Sequence, residues 1–450
     1  MSMPAEMRAD TLDKDRLYAK ITRRIVPYLF LLYIVAYIDR VNVGFAAIDM
    51  KRQLGFSDSV YGTGAAIFFL GYAFFDMPSS MMIPRFGARR WIARIMISWG
   101  LIAALMALVR TPLSFYITRF LLGVGEAGFV PGMLLCLAAW FPSQVRARAV
   151  AKFMTATSLA GVAGGPLSSA LLRLDGVLGL AGWQWLFVAE GIPTILLGIS
   201  VLFLLDDSPA QAQWLEPEER EQVLEDLASD HRRYGAAAHH SFADAFRLPV
   251  LWLLIAVYVT VQIGVYVINL WMPLMLSSLS QQHNGVALDS SRIAAISTVT
   301  YLMAAISTVV VGWSSDRRQE RSWHISGCML TAALGFALAA AAPSMPLALI
   351  GFSLTAMGMF SAMGPFWALM TRNVTGTAAA AGVALVTSLG ALGGFTGPYI
   401  TGRLREATHS FAGALYAIAA LFVVAAIVGA VTSRFDPQND ADNATEATRQ

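Results

Sequence analysis

Residues 113–140 read LSFYITRFLLGVGEAGFVPGMLLCLAAW. This is the length and apolarity of a membrane-crossing helix, which needs about 20 such residues. Two charges interrupt it, Arg119 and Glu126. Seven positions apart, they share one helix face, separated by roughly 10 Å along the axis. A charge in the bilayer core costs several kcal/mol, so such residues face a polar cavity and mark a substrate or ion path. The comparable feature elsewhere is Asp39-Arg40, in the middle of the first apolar stretch. One such pair is also what a structural lock between helices would leave. Two acids and two arginines on two spans favour a transport path.

The whole chain has the matching composition. Of its 450 residues, 56% are hydrophobic and 14% charged, whereas soluble domains carry about 25% charged residues. An all-α integral membrane protein is expected, embedded in a lipid bilayer. The small net charge of +3 points to no nucleic-acid partner. Cys136 and Cys328 each lie inside an apolar stretch, and the six histidines fall in loops or near span ends, so no disulfide framework and no metal site is expected. No nucleotide-binding glycine motif occurs, and no cofactor is expected. The first 24 residues are charged and run into a full-length apolar stretch, so no cleavable signal peptide is expected.

Twelve apolar stretches of spanning length can be counted: 25–45, 60–80, 91–109, 113–138, 149–172, 184–205, 249–277, 292–313, 323–342, 346–369, 378–402 and 410–432. The eighth and tenth are the most diluted by Ser, Thr and Gly. With the N-terminus inside, Lys and Arg of the inner loops and tails outnumber those of the outer loops about three to one. This predicts cytoplasmic tails at 1–24 and 435–450, a six-helix bundle at 25–205, a cytoplasmic linker at 206–248 and a second bundle at 249–434. Within the linker, WLEPEEREQVLEDL (214–227) predicts a short helix started by Pro217, with Val223, Leu224 and Leu227 on one apolar face.

The halves repeat. Gly161 to Pro166 and Gly393 to Pro398 are both G-x-x-x-G-P, ending in Gly165-Pro166 and Gly397-Pro398 and lying 232 residues apart. Arg85 and Arg317 share that offset. Small residues four apart let helices approach closely, and parallel six-helix repeats with a site at their interface are a transporter architecture.

The loop Gly312-Trp-Ser-Ser-Asp316-Arg317 resembles the loop motif of the major facilitator superfamily. Its first-half counterpart, Pro84-Arg85-Phe-Gly87-Ala-Arg89-Arg90, keeps the glycine and arginines but has proline at the acidic position. That form, with YIVAYIDRVNVGFA (33–46), FGARRWIARIMISWG (86–100), RFLLGVGEAGFVPG (119–132), GWQWLFVAEGIP (182–193) and GTAAAAGVAL (376–385), resembles the anion:cation symporters of that superfamily. The resemblance implies the major facilitator fold of twelve helices in two six-helix pseudo-repeats. It also implies proton-coupling roles for Asp39 and Glu126, carboxylate binding by Arg40 and Arg119, and Tyr37 and Tyr72 near the substrate. The loop motifs, through Arg85, Gly87, Arg89, Gly312, Asp316 and Arg317, would act in gating. The chain departs from the branch's common pattern at Asp76, where glutamate is usual, at Ser80, and at Thr387 and Ala391 in the eleventh span.

The residues themselves support an anion transporter. Arginine offers a planar fork that holds a carboxylate with two hydrogen bonds. Asp39, Arg40, Arg119 and Glu126 sum to zero charge, so a bound monoanion leaves −1 in a low-dielectric cavity unless one acid takes up a proton. Asp76, in GYAFFDMP (71–78), reads as helix packing or gating, and Glu190 as structural. The second half offers Tyr258, Gln262, Tyr266 and Asn269 in the seventh span, of which Gln262 and Asn269 share a face two turns apart and are expected at the far end of the substrate; Trp367 is a candidate wall, and the resemblance places Thr387 beside the substrate. The expected function is proton-coupled uptake of a small organic carboxylate (an aromatic acid, a hydroxy-dicarboxylate or a sugar acid) by a monomer in the bacterial inner membrane. The alternatives are a proton/drug antiporter and a sodium-coupled symporter. No nucleophile–base or metal constellation suggests an enzyme.

Overall fold

The computed structural model describes residues 5–154, 156–235, 248–284, 288–373 and 377–435. The tail from 436 onward and residues 236–247 of the linker lie outside the described residues. Among the described residues the regular structure is entirely helical. In chain order the helices are α1 (Ala5–Leu54), α2 (Asp58–Phe86), α3 (Ala88–Leu105), α4 (Pro112–Glu126), α5 (Phe129–Trp140), α6 (Ser143–Met154), α7 (Ala156–Leu172), α8 (Gly182–Leu204), α9 (Pro217–Gly235), α10 (Pro249–Asn284), α11 (Ser290–Arg318), α12 (Ser322–Ala341), α13 (Met345–Asn373), α14 (Thr377–Thr408) and α15 (Ala412–Val431). Among the described residues ten bodies, with α4 and α5 counted as one, are long and apolar enough to cross a membrane; α7 adds a shorter apolar helix and α14 a further long one. The eighth and tenth stretches, despite their Ser, Thr and Gly, form unbroken helices of 29 residues each, α11 and α13.

Local chemistry sets the ends. Thr111 caps α4: its hydroxyl accepts from Ser114 N at 3.2 Å, and Pro112 occupies the first turn where its missing N–H costs nothing. Ser57 caps α2 and Asp289 caps α11 in the same way. The fourth stretch differs from the single straight span its composition suggested. It breaks after Glu126, where Gly128 adopts φ +85° before α5 begins. A side chain at Gly128 would collide with Ser79, so glycine is required both by conformation and by space.

Within the first half, α3 packs on α8, α2 on α4, and α1 on both α7 and α8; in the second, α12 packs on α13 and α15, and α10 on α14. The halves meet through α2 with α14, α7 with α11, and α1 with α10. These contacts share one end of the molecule, the end where α1 finishes and α2 starts. Tyr61 donates to Leu270 O at 2.7 Å and meets Trp271 edge-on at 5.0 Å. Glu406 accepts from Ser57 Oγ at 2.8 Å and Ser59 N at 2.6 Å. Arg405 and Asp58 add an ion pair between α14 and α2 at the same end. These contacts close the molecule at the end away from its termini. The repeated glycines set close approaches of two kinds: a Cβ at Gly165 would lie 2.6 Å from Ala294 O of α11, across the halves, and one at Gly397 2.8 Å from Ile263 O of α10, within the second half.

The linker helix α9 lies against the first half. Asp226 accepts from Lys14 at 3.1 Å and Tyr18 at 3.0 Å, Glu219 from Lys20 at 2.6 Å, and Asp230 from Ser143 N at 3.1 Å. Trp214 stacks on Trp140 at 5.5 Å. Val223 is buried and Leu227 packs on the core, as expected, but Leu224 is 40% exposed. Positions 223 and 227 are one turn apart, and 224 is rotated away from them by about 100°.

Candidate substrate and proton site

The two charged stretches come together at the centre of the first half. α1 carries Asp39 and Arg40; α4 carries Arg119 and, at its last residue beside the helix break, Glu126. Asp39, Arg119 and Glu126 are all at most 1% exposed. Arg40 Nη2 is ion-paired with Glu126 Oε1. Arg119 pairs with neither acid. Its Nε and Nη2 donate to the carbonyls of Gly64 and Ala65, both at 3.3 Å, its guanidinium lies 4.8 Å from the Phe68 ring centroid, and its Nη1 has no partner. Arg119 is thus a fixed, buried cation with a donor to spare, and Arg40 is a cation held by an acid.

Asp39 belongs to a different set of contacts. Its Oδ2 accepts from Trp99 Nε1 at 2.6 Å and its Oδ1 from Asn42 Nδ2 at 3.2 Å; the same Asn42 nitrogen reaches Glu190 Oε2 at 2.5 Å. Trp99, on α3, is missing from the residues the sequence pointed to, and Asn42 with it. The signal was weak: an asparagine three residues after a charged pair, and one tryptophan among eleven.

Tyr72 lies under Arg40, whose guanidinium is 5.4 Å from its ring centroid. Tyr37 is buried beside Arg40 and Tyr266, with its hydroxyl facing the Asn269 side chain. Asp76 accepts from Gly128 N at 2.9 Å, so it caps the first turn of α5 at the break. From the second half it is Tyr266, between Gln262 and Asn269, that reaches the charges: Arg40 Nη1 donates to its hydroxyl at 3.5 Å, and Phe69 packs on it at 4.2 Å. Gln262 lies against the glycines of α14, and Asn269 accepts from Tyr301 at 2.7 Å. Neither meets the arginines. Trp367 packs on Tyr258 and Phe366 in an aromatic wall, and Thr387 donates to Val383 O within its own helix.

The loop motifs sit at the open end. Gly87 has φ +84°, and Arg89 N donates to Asp207 Oδ1 at 2.7 Å. In the second loop Asp316 pairs with Arg321 at 2.7 Å; Arg317 lies over Trp313, while Gly312 and Arg85 face open space.

Two packed sets of long apolar helices, joined at one end around buried charges of both signs, define a secondary transporter. The chain belongs to the major facilitator superfamily, whose model matches residues 29–398. It is 44% identical, over 95% of its length and 96% of the relative's, to an Agrobacterium vitis protein provisionally named a tartrate transporter. It is 38% identical to the quinolone resistance transporter of Acinetobacter baumannii, over 88% of this chain and 90% of that one. The fold is also that of a bacterial homologue of the human lysosomal transporter Spinster in an inward-facing, unoccupied conformation. That structure matches with a TM-score of 0.74 at 19% identity, over 93% of this chain and 98% of that one. These relatives are transporters, and this chain is an integral membrane transporter, not an enzyme.

Proposed function

We propose that this protein takes up a small hydroxy-carboxylate of the tartrate type together with protons, by alternating access, with both termini cytoplasmic and the closed end facing outward. One observation carries the reading: Arg40 is ion-paired with Glu126 beside Arg119, whose Nη1 is unpartnered in a fully buried setting. An anion entering between the arginines takes Arg40 from Glu126. Glu126 is then a buried carboxylate without its cation, and protonation removes that cost. Proton and anion are each bound best when the other is present, which is the thermodynamic content of symport. Asp39 and Glu126 would carry protons, Arg40 and Arg119 the carboxylate, with Tyr72, Tyr37 and Tyr266 around it. Asp76 and the two loop motifs would act in gating.

The names of two relatives, one a tartrate transporter and one a quinolone resistance transporter, fit a carboxylate-holding site in different ways. A quinolone antibacterial also bears a carboxylate, so the second reading is proton-driven efflux through the same arginines. Direction separates them. The experiment is uptake of labelled L-tartrate into proteoliposomes under an inward proton gradient, a sodium gradient or neither. Accumulation that follows the proton gradient is expected. Accumulation that follows sodium, or proton-driven expulsion of a quinolone with no tartrate uptake, overturns the reading.

A further inference from the structure

Glu190 has no part in the scheme above, and its surroundings are unusual for a carboxylate. It is 5% exposed, on α8. One oxygen, Oε2, takes an N–H from Asn42 at 2.5 Å; the other, Oε1, has no partner. No cation compensates it. α1 presents Asp39 and Asn42, and Asp39 is the ionisable group that acts on Glu190. α3 presents the Trp99 indole, while its Arg94 is turned away to Ser79 and Trp91. α7 carries no charged residue. Asp39 is differently placed. Both its oxygens accept an N–H, one from Trp99 and one from Asn42, which is the arrangement an ionised carboxylate needs. Arg119 of α4 acts on Asp39 but not on Glu190, so of the two carboxylates joined by one amide it is Glu190 that lies in a dry enclosure without a cation and cannot stay ionised beside an ionised Asp39.

The geometry points to a second proton-binding site, in which Glu190 and Asp39, bridged by Asn42, hold one proton between them. In this conformation the proton sits on Glu190. Asn42 follows Asp39 by three residues toward the closed end, and Glu190 is eight residues into α8 from that end. The pair therefore lies between the central charges and the closed face. When that face opens, the Glu190 proton passes to Asp39, and the ionised Glu190 takes the next proton from the outer side. The transport role rests on the symport reading above; the protonation of Glu190 does not.

Two measurements on wild type, Glu190→Gln and Glu190→Asp test this. Infrared spectroscopy of the purified protein near neutral pH should show a neutral carboxylic-acid carbonyl band that Glu190→Gln removes and Glu190→Asp keeps. Proteoliposomes given L-tartrate should show one proton fewer per tartrate in Glu190→Gln, with tartrate–tartrate exchange retained and the aspartate restoring the count. An unchanged infrared spectrum in Glu190→Gln means that Glu190 is ionised, and the site is refuted. A lost band with wild-type proton count means a fixed neutral acid, which refutes its role in transport. If wild type itself ignores the proton gradient while the band still depends on Glu190, the symport reading falls and the proton site stands.

Discussion

Glu126→Gln is the sharpest probe of the proposed coupling. The substitution keeps the shape of the side chain and fixes it in the neutral form. In the ligand-free protein it leaves the partly buried Arg40, 13% exposed, without its counter-charge, with the Tyr266 hydroxyl at 3.5 Å and the Tyr72 ring at 5.4 Å beside it. Breaking a buried pair from one side costs about 3–5 kcal/mol, so the ligand-free variant should melt at lower temperature. A bound anion supplies the missing charge, so L-tartrate should stabilise the variant more than wild type. The pH dependence follows with a definite sign. In wild type an anion takes Arg40 only if Glu126 gains a proton, so affinity falls as pH rises above the point where that proton is held. The slope is about tenfold per pH unit, or 1.36 kcal/mol. Between pH 7 and 9 tartrate is fully ionised and contributes no slope itself. In Glu126→Gln one full unit of slope should disappear. The assay is titration calorimetry with L-tartrate across that range, with proteoliposome uptake beside it. Proton-driven accumulation should stop in the variant while exchange continues. A variant with the wild-type slope of affinity against pH refutes the exchange of Arg40 between acid and substrate.

Three further outcomes are expected. Arg119→Lys keeps the charge but cannot reach the carbonyls of Gly64 and Ala65 and still present a free donor; tartrate affinity should fall at least about tenfold, or 1.4 kcal/mol, and wild-type calorimetric affinity would show a purely structural cation. Hydrogen bonds from Ser59 and Ser57 hold Glu406 below the usual carboxylate range, so its link from α14 to α2 is present above about pH 4.3 and is lost as pH falls through the lower, held value. Glu406→Gln should open the closed end at neutral pH, read as faster labelling of Thr401→Cys by an impermeant thiol reagent; unchanged labelling would mean the latch is idle. Reporter fusions after Phe435 and within 236–247 should both report a cytoplasmic location, and a periplasmic signal from either overturns the orientation.

Much of the fold was legible because a membrane imposes it. A helix must satisfy its own backbone in lipid, so each apolar run of sufficient length had one available structure. The break at Gly128 was not legible from apolarity: Glu126, Ala127 and Gly128 lie in a run whose overall character is that of one span. It takes the positive φ at Gly128 and the Asp76 cap from α2 to show that Glu126 ends a helix. The site was half legible for a related reason. Charges within spans announce themselves by cost, and so Asp39, Arg40, Arg119 and Glu126 were found. Partners that are costly only in combination do not. Trp99 lies 60 residues from Asp39 and Asn42 lies 148 from Glu190, and nothing in either neighbourhood marks them. Tyr266 was among the candidates of its helix, but spacing favoured Gln262 and Asn269 over it. Gln262 and Asn269 share a helical spacing, yet the helices that face them, α14 and α11, give each a different task.

The offset of 232 residues extends beyond the motifs that revealed it, and where it fails is informative. Gly87 and Gln319 are equivalent, and both have positive φ, +84° and +53°. Arg89 and Arg321 are equivalent, and each holds a carboxylate at the end of a loop. The carboxylates are not equivalent. In the second loop it is Asp316, inside the motif; in the first, proline stands at that place and Asp207 supplies the charge from the start of the linker. The first-half loop is therefore tied to the segment that joins the halves, whereas the second-half loop is tied within its own half, by Asp316 to Arg321 and by Gln319 to Arg372 of α13. The same inequality runs through the centre: the first half holds the charges, and the second meets them with a tyrosine hydroxyl and an aromatic wall. Under the proposed symport, a symmetric scaffold with an asymmetric interior would let one bundle hold anion and proton while the other moves across them, so that rocking would change which face the charges see.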